Sequence, residues 1–264
     1  MGNEKVRNRQ KEILELLSDK GTVYLEELLE HFGCSEATIR NDLRLMDEQG
    51  LLKRIFGGAT RVPVLSISTR ATSFKQQKIA IADYVMAHYI TPNSIITLDS
   101  GSTVIELANK IVASQIPVSV ITTSFYAAAI LHECESVKLT LVGGKYNSIT
   151  GCFFDENTIS VLKTMRSDFY FMGARGIDDE AGITISNDDE ATLKRTMIKC
   201  AGKTVALMDS SKFGLIGFKV VCMPKDIDAV VTDENVDPGV AMKIRKSGPN
   251  VCIAGGCRQE SELS

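Results

Sequence analysis

A tight turn between two amphipathic segments constrains the fold of the first fifth of this chain more than any other sequence feature. Apolar residues at helical spacing over 25–32 indicate a short helix, and Gly33 then supplies the turn. Ser35 stands where a hydroxyl caps the start of a further helix. The apolar face of that further helix is formed by Ile39, Leu43 and Met46. Together with an earlier amphipathic segment, the pattern predicts a three-helix unit containing a helix-turn-helix.

The opposite face of the third helix is polar and carries residue types that contact base edges and phosphates in DNA. After this helix, two short apolar runs flank a Gly-Gly pair, which predicts a hairpin whose tip approaches the phosphate backbone closely. The pattern is therefore that of a winged helix-turn-helix, with DNA as the expected partner. The candidate DNA-binding residues are Ser35, Glu36, Thr38, Arg40, Asn41, Arg44, Lys53, Arg54, Gly57 and Gly58.

The alternative interpretation of this segment is an ordinary helical bundle with a solvated charged face. Residues 1–61 contain ten Lys and Arg against eleven Asp and Glu, so their net charge does not decide the question. The basic residues are nevertheless clustered at the amino terminus, on the third helix and around the hairpin, where one duplex could face all three clusters. Turn, cap, helix face and hairpin agree, and this agreement favours DNA binding.

Composition places the whole chain among soluble globular proteins with room for two domains. It has 264 residues, of which 44% are hydrophobic and 24% charged. No apolar run approaches the roughly 20 residues that cross a bilayer, and no amino-terminal signal peptide is visible, so we expect a cytoplasmic protein without membrane contact. Its seven cysteines form no Cys-x-x-Cys pair and its three histidines no cluster, which argues against a disulfide framework and a metal site.

The rest of the chain reads as a linker followed by an α/β domain. Residues 62–74 contain Pro63 and many Ser and Thr, which predicts a linker between a domain at 1–61 and a second domain at 75–254. Residues 255–264 are polar and are interpreted as a tail. Amphipathic and strand-like apolar segments then alternate, which predicts a largely parallel sheet. Helices are predicted at 75–88, 103–111, 125–134, 157–165, 190–200 and 237–246, and strands at 94–98, 118–122, 138–142, 168–172, 204–208, 228–232 and 250–254.

Polar and glycine residues follow several predicted strands, at the edge where parallel sheets bind ligands. The loop from Asp99 to Thr103 places a glycine between hydroxyls at a strand-to-helix turn, an arrangement that suits a phosphate. Basic residues could add positive charge, while Asp99 and Asp209 could accept hydrogen bonds from sugar hydroxyls. The candidate effector-binding residues are Asp99, Ser100, Gly101, Ser102, Thr103, Thr123, Gly143, Gly144, Gly173, Arg175, Lys194, Asp209 and Lys212.

Ordinary turns are the alternative interpretation of these loops, because Gly, Ser, Asp and Thr are common in turns for steric reasons. For Gly143 and Gly144 the two interpretations stay open, whereas the loop at 99–103 favours a ligand. The sequence contains no G-x-G-x-x-G or Walker motif, so nucleotide binding is not supported and no cofactor is expected.

These motifs resemble those of the DeoR-type bacterial repressors. The family's Thr-Ile-Arg-x-Asp-Leu helix is matched at 38–43 and its Gly-Leu-Leu-x-Arg-x-x-Gly-Gly-Ala wing at 50–59. Its Asp-x-Gly-Ser-Thr, Gly-Gly, Gly-x-x-Gly-Ile and Asp-x-Ser-Lys sequences follow in order in the second half of the chain. Asn41 departs from the family, where a second basic residue is common, and so does Arg175, where an acid is frequent. These two departures bear on the operator sequence and on the choice of effector.

The resemblance implies a winged helix-turn-helix followed by a sensor domain similar in fold to ribose-5-phosphate isomerase. It also implies a homo-oligomeric repressor, a dimer or a tetramer, that controls sugar metabolism genes and leaves its operator when a phosphorylated sugar or related metabolite binds. An active sugar-phosphate isomerase and a transcriptional activator remain as alternatives. The isomerase needs a carboxylate base. Its acids are missing at the two corresponding places, 173–176 and 193–195, so we expect no enzyme activity.

Overall fold

The computed structural model describes residues 2–48, 51–61 and 71–255. Its amino-terminal part contains three helices and three short strands, which confirms the winged helix-turn-helix. The strands form an antiparallel sheet in the order β1-β3-β2. In chain order the elements are α1 (Gly2–Lys20), β1 (Thr22–Tyr24), α2 (Leu25–Phe32), α3 (Glu36–Glu48), β2 (Leu52–Ile55) and β3 (Gly58–Arg61).

A small apolar core holds this amino-terminal domain together. The predicted inner face of α3 is buried, and it packs with residues of α1, α2 and the sheet. Arg9 on α1 forms an ion pair with the buried carboxylate of Asp42 on α3. The hydrogen bond to Asp42, together with the charge of that carboxylate, raises the pKa of Arg9. This pair fixes α3 against α1 and leaves the polar side of α3 exposed.

The second domain is built on a seven-stranded parallel sheet of order β15-β14-β12-β9-β4-β5-β6. From the central pair β4 and β9, the strands β5 and β6 follow in chain order on one side of the sheet. The strands β12, β14 and β15 follow in chain order on the other side. The sheet strands are β4 (Ile95–Leu98), β5 (Val118–Thr122), β6 (Val137–Leu141), β9 (Ser167–Met172), β12 (Ala201–Leu207), β14 (Ala229–Asp233) and β15 (Asn250–Ala254).

Helices cover both faces of this sheet, and each face has its own apolar cluster. One cluster packs α4, α5 and α6 against the sheet, and the other packs α7, α8 and α9. The α/β prediction with a largely parallel sheet is confirmed. The helices are α4 (Lys75–His88), α5 (Ser102–Ser114), α6 (Phe125–Leu131), α7 (Glu156–Lys163), α8 (Asp188–Cys200) and α9 (Pro238–Lys246).

Antiparallel pieces at the carboxyl edge of the sheet were not predicted from the sequence. A three-stranded ribbon of order β10-β11-β13 lies beside the sheet, and a short pair, β7 and β8, follows β6. The ribbon strands are too short for a clear alternation of apolar and polar residues. These strands are β7 (Tyr146–Asn147), β8 (Cys152–Phe153), β10 (Gly176–Asp178), β11 (Gly182–Ile185) and β13 (Lys219–Cys222).

Two predicted boundaries fall partly outside the described residues. Most of the proposed linker, residues 62–70, is not described, and neither are residues 256–264 of the proposed tail. Within the described part of the chain, no helix has the length and apolar character needed to span a bilayer.

Candidate DNA interface and effector site

The exposed face of α3 carries the predicted DNA-reading side chains. The Ser35 hydroxyl accepts a hydrogen bond from the Thr38 amide at 3.3 Å and so caps the helix. Arg40 forms an ion pair with Glu36 one turn earlier, with 2.6 Å between Nη2 and Oε1. Arg44 donates to the Oδ1 atom of Asn41 at 3.0 Å. These exposed pairs hold both guanidinium groups on the surface of the helix.

The wing presents a residue that the sequence analysis did not select. Phe56 lies at the hairpin tip between β2 and β3, and its side chain is fully exposed, with a relative accessibility of 104%. Exposed Lys53 and Arg54 precede it on β2. An exposed apolar ring beside two cations at the tip of a hairpin is placed where it could contact a partner. From the sequence alone, Phe56 is recognisable only as an apolar residue next to the Gly-Gly pair, and its exposure follows from the fold.

Gly58 has a different place from the one predicted. It is buried, and a Cβ atom on it would lie 2.2 Å from the carbonyl oxygen of Val23 on β1. Gly57 is the exposed glycine of the turn, and its carbonyl accepts a hydrogen bond from Leu25 at 2.8 Å. The lack of a side chain at Gly58 therefore permits close packing of β3 on β1. Arg9 is likewise engaged with Asp42, so this member of the amino-terminal basic cluster is not available to a duplex.

The loops after β4 and β9 meet at the centre of the sheet, where the chain direction reverses. The Gly173 amide donates to the Oδ2 atom of Asp99 at 2.8 Å, and the Asp99 amide donates to the Phe171 carbonyl at 3.2 Å. A Cβ atom on Gly101 would lie 3.3 Å from the Cα atom of Gly173, so the two glycines allow their backbones to touch. Ligands bind at such a reversal point in open α/β sheets.

A buried ion pair lies beneath this point. The ammonium group of Lys194 on α8 contacts the Oδ2 atom of Asp99, and both side chains are almost completely buried. The second oxygen of Asp99 is buried and has no hydrogen-bond partner among the described residues. Burial raises the pKa of neighbouring Tyr170 well above its usual value, and the negative charge of Asp99 raises it further. Lys194 also reaches the wall of the cavity above.

A cavity of about 510 Å³ opens above the two loops. The first residues of α5, Ser102 and Thr103, lie on its wall, so the cavity faces the positive end of that helix dipole. Basic side chains line the same space from four other segments of the chain. Nine of the predicted effector-binding residues line it, namely Ser100, Gly101, Ser102, Thr103, Gly173, Arg175, Lys194, Asp209 and Lys212.

The turn after β12 contributes an acceptor and a cation. Asp209 is buried, and its Oδ1 atom accepts a hydrogen bond from the Ser211 amide at 3.2 Å. Its Oδ2 atom has no partner in the described part of the chain. Since a buried carboxylate oxygen without a partner is costly, a hydroxyl donor from a ligand would satisfy it. Lys212 follows in the one-turn helix Ser210–Lys212 and also lines the cavity.

The other four predicted residues do not line the cavity wall. Thr123 is fully buried after β5, and its hydroxyl finds no partner among the residues described. Gly143 and Gly144 lie in the exposed turn after β6, and the Gly143 carbonyl accepts a hydrogen bond from the Thr158 hydroxyl at 2.8 Å. This contact attaches the turn to the start of α7, which is the structural interpretation left open for the two glycines. Asp99 does not line the wall, but its carboxylate contacts Lys194, which does.

The cavity wall also contains residues that the sequence analysis missed. Lys78 on α4 is buried there, and Ile216 and Phe218 approach from the segment before β13. The carboxylates of Asp189 and Glu190, at the start of α8, lie on it as well. The isomerase-type acids are missing at the two places expected from the sequence, but acidic side chains are present nearby. No sequence pattern indicated that these residues line one cavity, because they lie in segments that are far apart in the chain.

Side chains of the amino-terminal domain reach the same cavity. Leu14 and Leu17 of α1 and Leu51 before β2 line its outer part, next to Ser73 and Phe74 at the end of the linker. Residues from both ends of the undescribed segment 62–70 therefore line one cavity.

Comparison with known proteins gives matches over both domains. A family model described as the DeoR-like helix-turn-helix domain matches residues 9–63, and one described as the DeoR C terminal sensor domain matches residues 73–234. The chain is similar to the HTH-type transcriptional regulator GlpR of Haloferax volcanii, with 32% identity covering 92% of this chain and 96% of that protein. It is also similar to the glycerol-3-phosphate regulon repressor of Escherichia coli K12, with 31% identity covering 87% and 91%.

A weaker similarity links the second domain to solved enzyme structures. Ribose 5-phosphate isomerase A from Methanocaldococcus jannaschii matches 53% of this chain and 55% of its own, with a TM-score of 0.38 and 21% identity. A similarity of this size gives no information on activity. The two family matches and the full-length relatives do: the chain belongs to the DeoR family of transcriptional regulators.

Proposed function

We propose that this protein is a transcriptional repressor that binds operator DNA through α3 and the wing and leaves it when a phosphorylated sugar or related metabolite binds. The proposal that an effector binds rests on the cavity at the centre of the sheet. There the start of α5 and basic side chains face the same space. Helix amino termini with free N–H groups and hydroxyls bind phosphate.

The chemistry of the wall favours a ligand with both a phosphate and hydroxyl groups. Ser102 and Thr103 with Lys194 and Lys212 provide donors and positive charge for an anion. The free oxygen of Asp209 provides an acceptor for a hydroxyl. The Escherichia coli relative is named for a regulon of glycerol 3-phosphate, a small molecule that combines the same two groups. These observations support control of carbohydrate-related genes.

The DNA part rests on the exposed pairs of α3. Each pair can open without exposing an apolar surface, because both partners already lie in solvent. Arg40 could then contact guanine or phosphate, and Asn41 could pair with adenine. The wing would place Phe56, Lys53 and Arg54 against the neighbouring backbone.

A single winged helix covers one half-site, so we propose that at least two copies bind an operator with repeated half-sites. Association would run through the α/β domain. Sedimentation of the protein alone and on its operator tests this point: a monomer that still binds tightly would contradict it.

Isomerase activity is the alternative function, and the observation in its favour is that acidic residues lie on the cavity wall. Glu190 and Asp209 lie in the cavity, where a proton-transferring carboxylate would need to be. The Glu190 carboxylate, however, accepts a hydrogen bond from Asn187 at 2.7 Å. It is thus engaged within the first turn of α8. We propose that the cavity binds its ligand without turnover.

The test combines operator mapping with effector screening. Footprinting of DNA upstream of the gene and its neighbours identifies the operator, and fluorescence anisotropy then gives its affinity. Glycerol 3-phosphate and a set of hexose and pentose phosphates are added to the complex, with the corresponding unphosphorylated sugars as matched controls. Release by a phosphorylated sugar alone is expected. Release by unphosphorylated sugars only, or by none of the compounds, would contradict the proposal.

A further inference from the structure

Lys78 is a buried lysine at the junction of the linker and the effector cavity. Its side chain is 3% exposed, although lysine is almost never buried without a polar reason. The ammonium group donates a hydrogen bond to the backbone carbonyl of Ser73. The same residue lies on the wall of the cavity together with Ser102 and Thr103. One cation therefore contacts the end of the linker and faces the proposed phosphate position.

The chain next to this contact is held in an unfavourable conformation. Phe74, the residue before α4, has φ 53° and ψ 37°, the left-handed region that bulky side chains rarely adopt. Its ring is half exposed, so packing of the side chain does not explain the conformation. The Lys78 amide donates to the Phe74 carbonyl at 3.1 Å, and the Lys78 side chain holds the adjacent Ser73. Backbone strain of this kind occurs where surrounding contacts enforce it, often at switching segments.

We propose that Lys78 is an effector-binding residue and that it connects effector binding to the linker. This inference rests on the proposed function, because it assumes an anionic ligand in the cavity. A phosphate oxygen is a stronger acceptor for an ammonium group than a neutral carbonyl. The bound anion therefore draws Lys78 away from Ser73. The junction at Ser73 and Phe74 then loses the contact that holds it in the left-handed conformation.

The position of the amino-terminal domain gives this change a consequence for DNA binding. Leu14 and Leu17 of α1 line the outer part of the same cavity, beside Ser73 and Phe74. A change in the backbone at Ser73 and Phe74 therefore changes the packing environment of α1. In this account the Lys78–Ser73 contact stabilises the conformation that binds DNA, and the anion stabilises the other conformation, so the two sites are coupled.

The experiment uses the full chain with the variants Lys78→Met, Lys78→Arg and Lys75→Met. Methionine keeps the apolar stem and removes the ammonium group, and arginine keeps a cation. Lys75 is exposed on the same helix and serves as the matched control. Operator affinity is measured by anisotropy without ligand and at increasing inorganic phosphate and glycerol 3-phosphate. Binding of the same two compounds is measured separately by calorimetry, and circular dichroism melts establish that each variant is folded.

Without ligand, Lys78→Met is expected to bind the operator about ten-fold more weakly than the wild type, a typical size for coupling between sites. It should also bind the anion more weakly and show little further release. Lys78→Arg should retain most of the response, and Lys75→Met should match the wild type. Unchanged operator affinity of a folded Lys78→Met variant without ligand would overturn the coupling. Unchanged anion binding would overturn the ligand role.

The ligand-free measurement separates this inference from the proposed function. If the wild type binds its operator but no phosphorylated compound affects it, the effector proposal fails. The affinity of Lys78→Met for the operator still decides whether the lysine holds the junction in its DNA-binding conformation. If Lys78→Met does not fold, Lys78→Arg and a Phe74→Gly variant decide the matter. Glycine removes the cost of the left-handed conformation, so Phe74→Gly should bind the anion normally and show at least three-fold less release. Release equal to the wild type by Phe74→Gly would contradict the inference.

Discussion

Asp99 and Lys194 form a buried ion pair although 95 positions separate them in the chain. Asp99 follows the central strand β4, and Lys194 lies in the middle of α8, on the other half of the sheet. Their contact joins the two halves at the point where the loops after β4 and β9 meet. It also holds Lys194 at the wall of the cavity. The pair therefore links the packing of the domain to the cavity wall.

Removal of one partner should be costly for the fold. Lys194→Met leaves the Asp99 carboxylate buried without its cation, and breaking a buried pair in this way costs about 3–5 kcal/mol. The free energy of unfolding from urea titration measures the loss. Lys110→Met, which removes an exposed pair with Asp83, should cost less than about 1 kcal/mol. Equal losses for the two variants would contradict the structural role of the buried pair.

Changes on the exposed face of α3 should affect DNA binding and leave stability nearly unchanged. Arg40→Ala is expected to weaken operator binding by about 1–3 kcal/mol if its contact is to a base. Arg44→Ala should also weaken it. Arg166→Ala, an exposed arginine of the second domain, is the matched control. The assignment of α3 fails if neither Arg40→Ala nor Arg44→Ala changes the affinity measured by anisotropy.

The wing provides a second test of the DNA interface. Full burial of a phenylalanine side chain is worth about 1.5–3 kcal/mol, so partial coverage of Phe56 by DNA should give about 1–2 kcal/mol. Phe56→Ala should therefore weaken operator binding by this amount, without a change in melting temperature. Met242→Ala, which removes another exposed apolar side chain, should leave the affinity unaltered. Wild-type affinity of Phe56→Ala would show that the wing tip does not contact the operator.

The partly buried thiol of Cys222 predicts a pH effect on both reactivity and stability. Burial raises the pKa of Cys222 to about 12, and the charge of Asp226 adds to the shift. The thiolate is the reactive form, so iodoacetamide at pH 8 should label Cys222 far more slowly in native protein than in urea. Above pH 9 the unfolded thiol loses its proton while the folded one keeps it, so stability should fall as pH rises toward 12. Mass spectrometry of the labelled peptides decides; equal rates in native and unfolded protein would contradict the burial.

The sequence was sufficient for the elements that have a clear period. The structure places α4, β5 and β15 at the residues predicted for them, because each is bounded by polar residues or turns. The rule that ligands bind at the carboxyl ends of parallel strands also led to nine of the residues that line the cavity. At the start of α2, the Tyr24 amide donates a hydrogen bond to the Glu27 carboxylate at 3.1 Å, and this hydrogen bond lowers the pKa of that carboxyl.

What the sequence did not predict depends on contacts between distant segments. The ribbon β10-β11-β13 has strands of three or four residues, too short for a periodic signal, and its pairing joins residues across a long connection. Lys78 appears in the sequence as an ordinary polar residue of an amphipathic helix, and only the fold shows that it is buried. Glycine is a common turn residue, but at position 58 a side chain would collide with the carbonyl of Val23, which lies on another strand.

A ligand in the cavity should control DNA binding without being converted, and one titration decides this point. Sugar phosphates are added to wild-type, Ser102→Ala and Lys212→Ala protein on the operator, while DNA release and product formation are followed in the same samples. We predict release without turnover for the wild type and lost release, with nearly normal operator affinity, for both variants. Equal release from all three proteins would remove these residues from the site. Rapid turnover by the wild type would contradict the account and establish an isomerase.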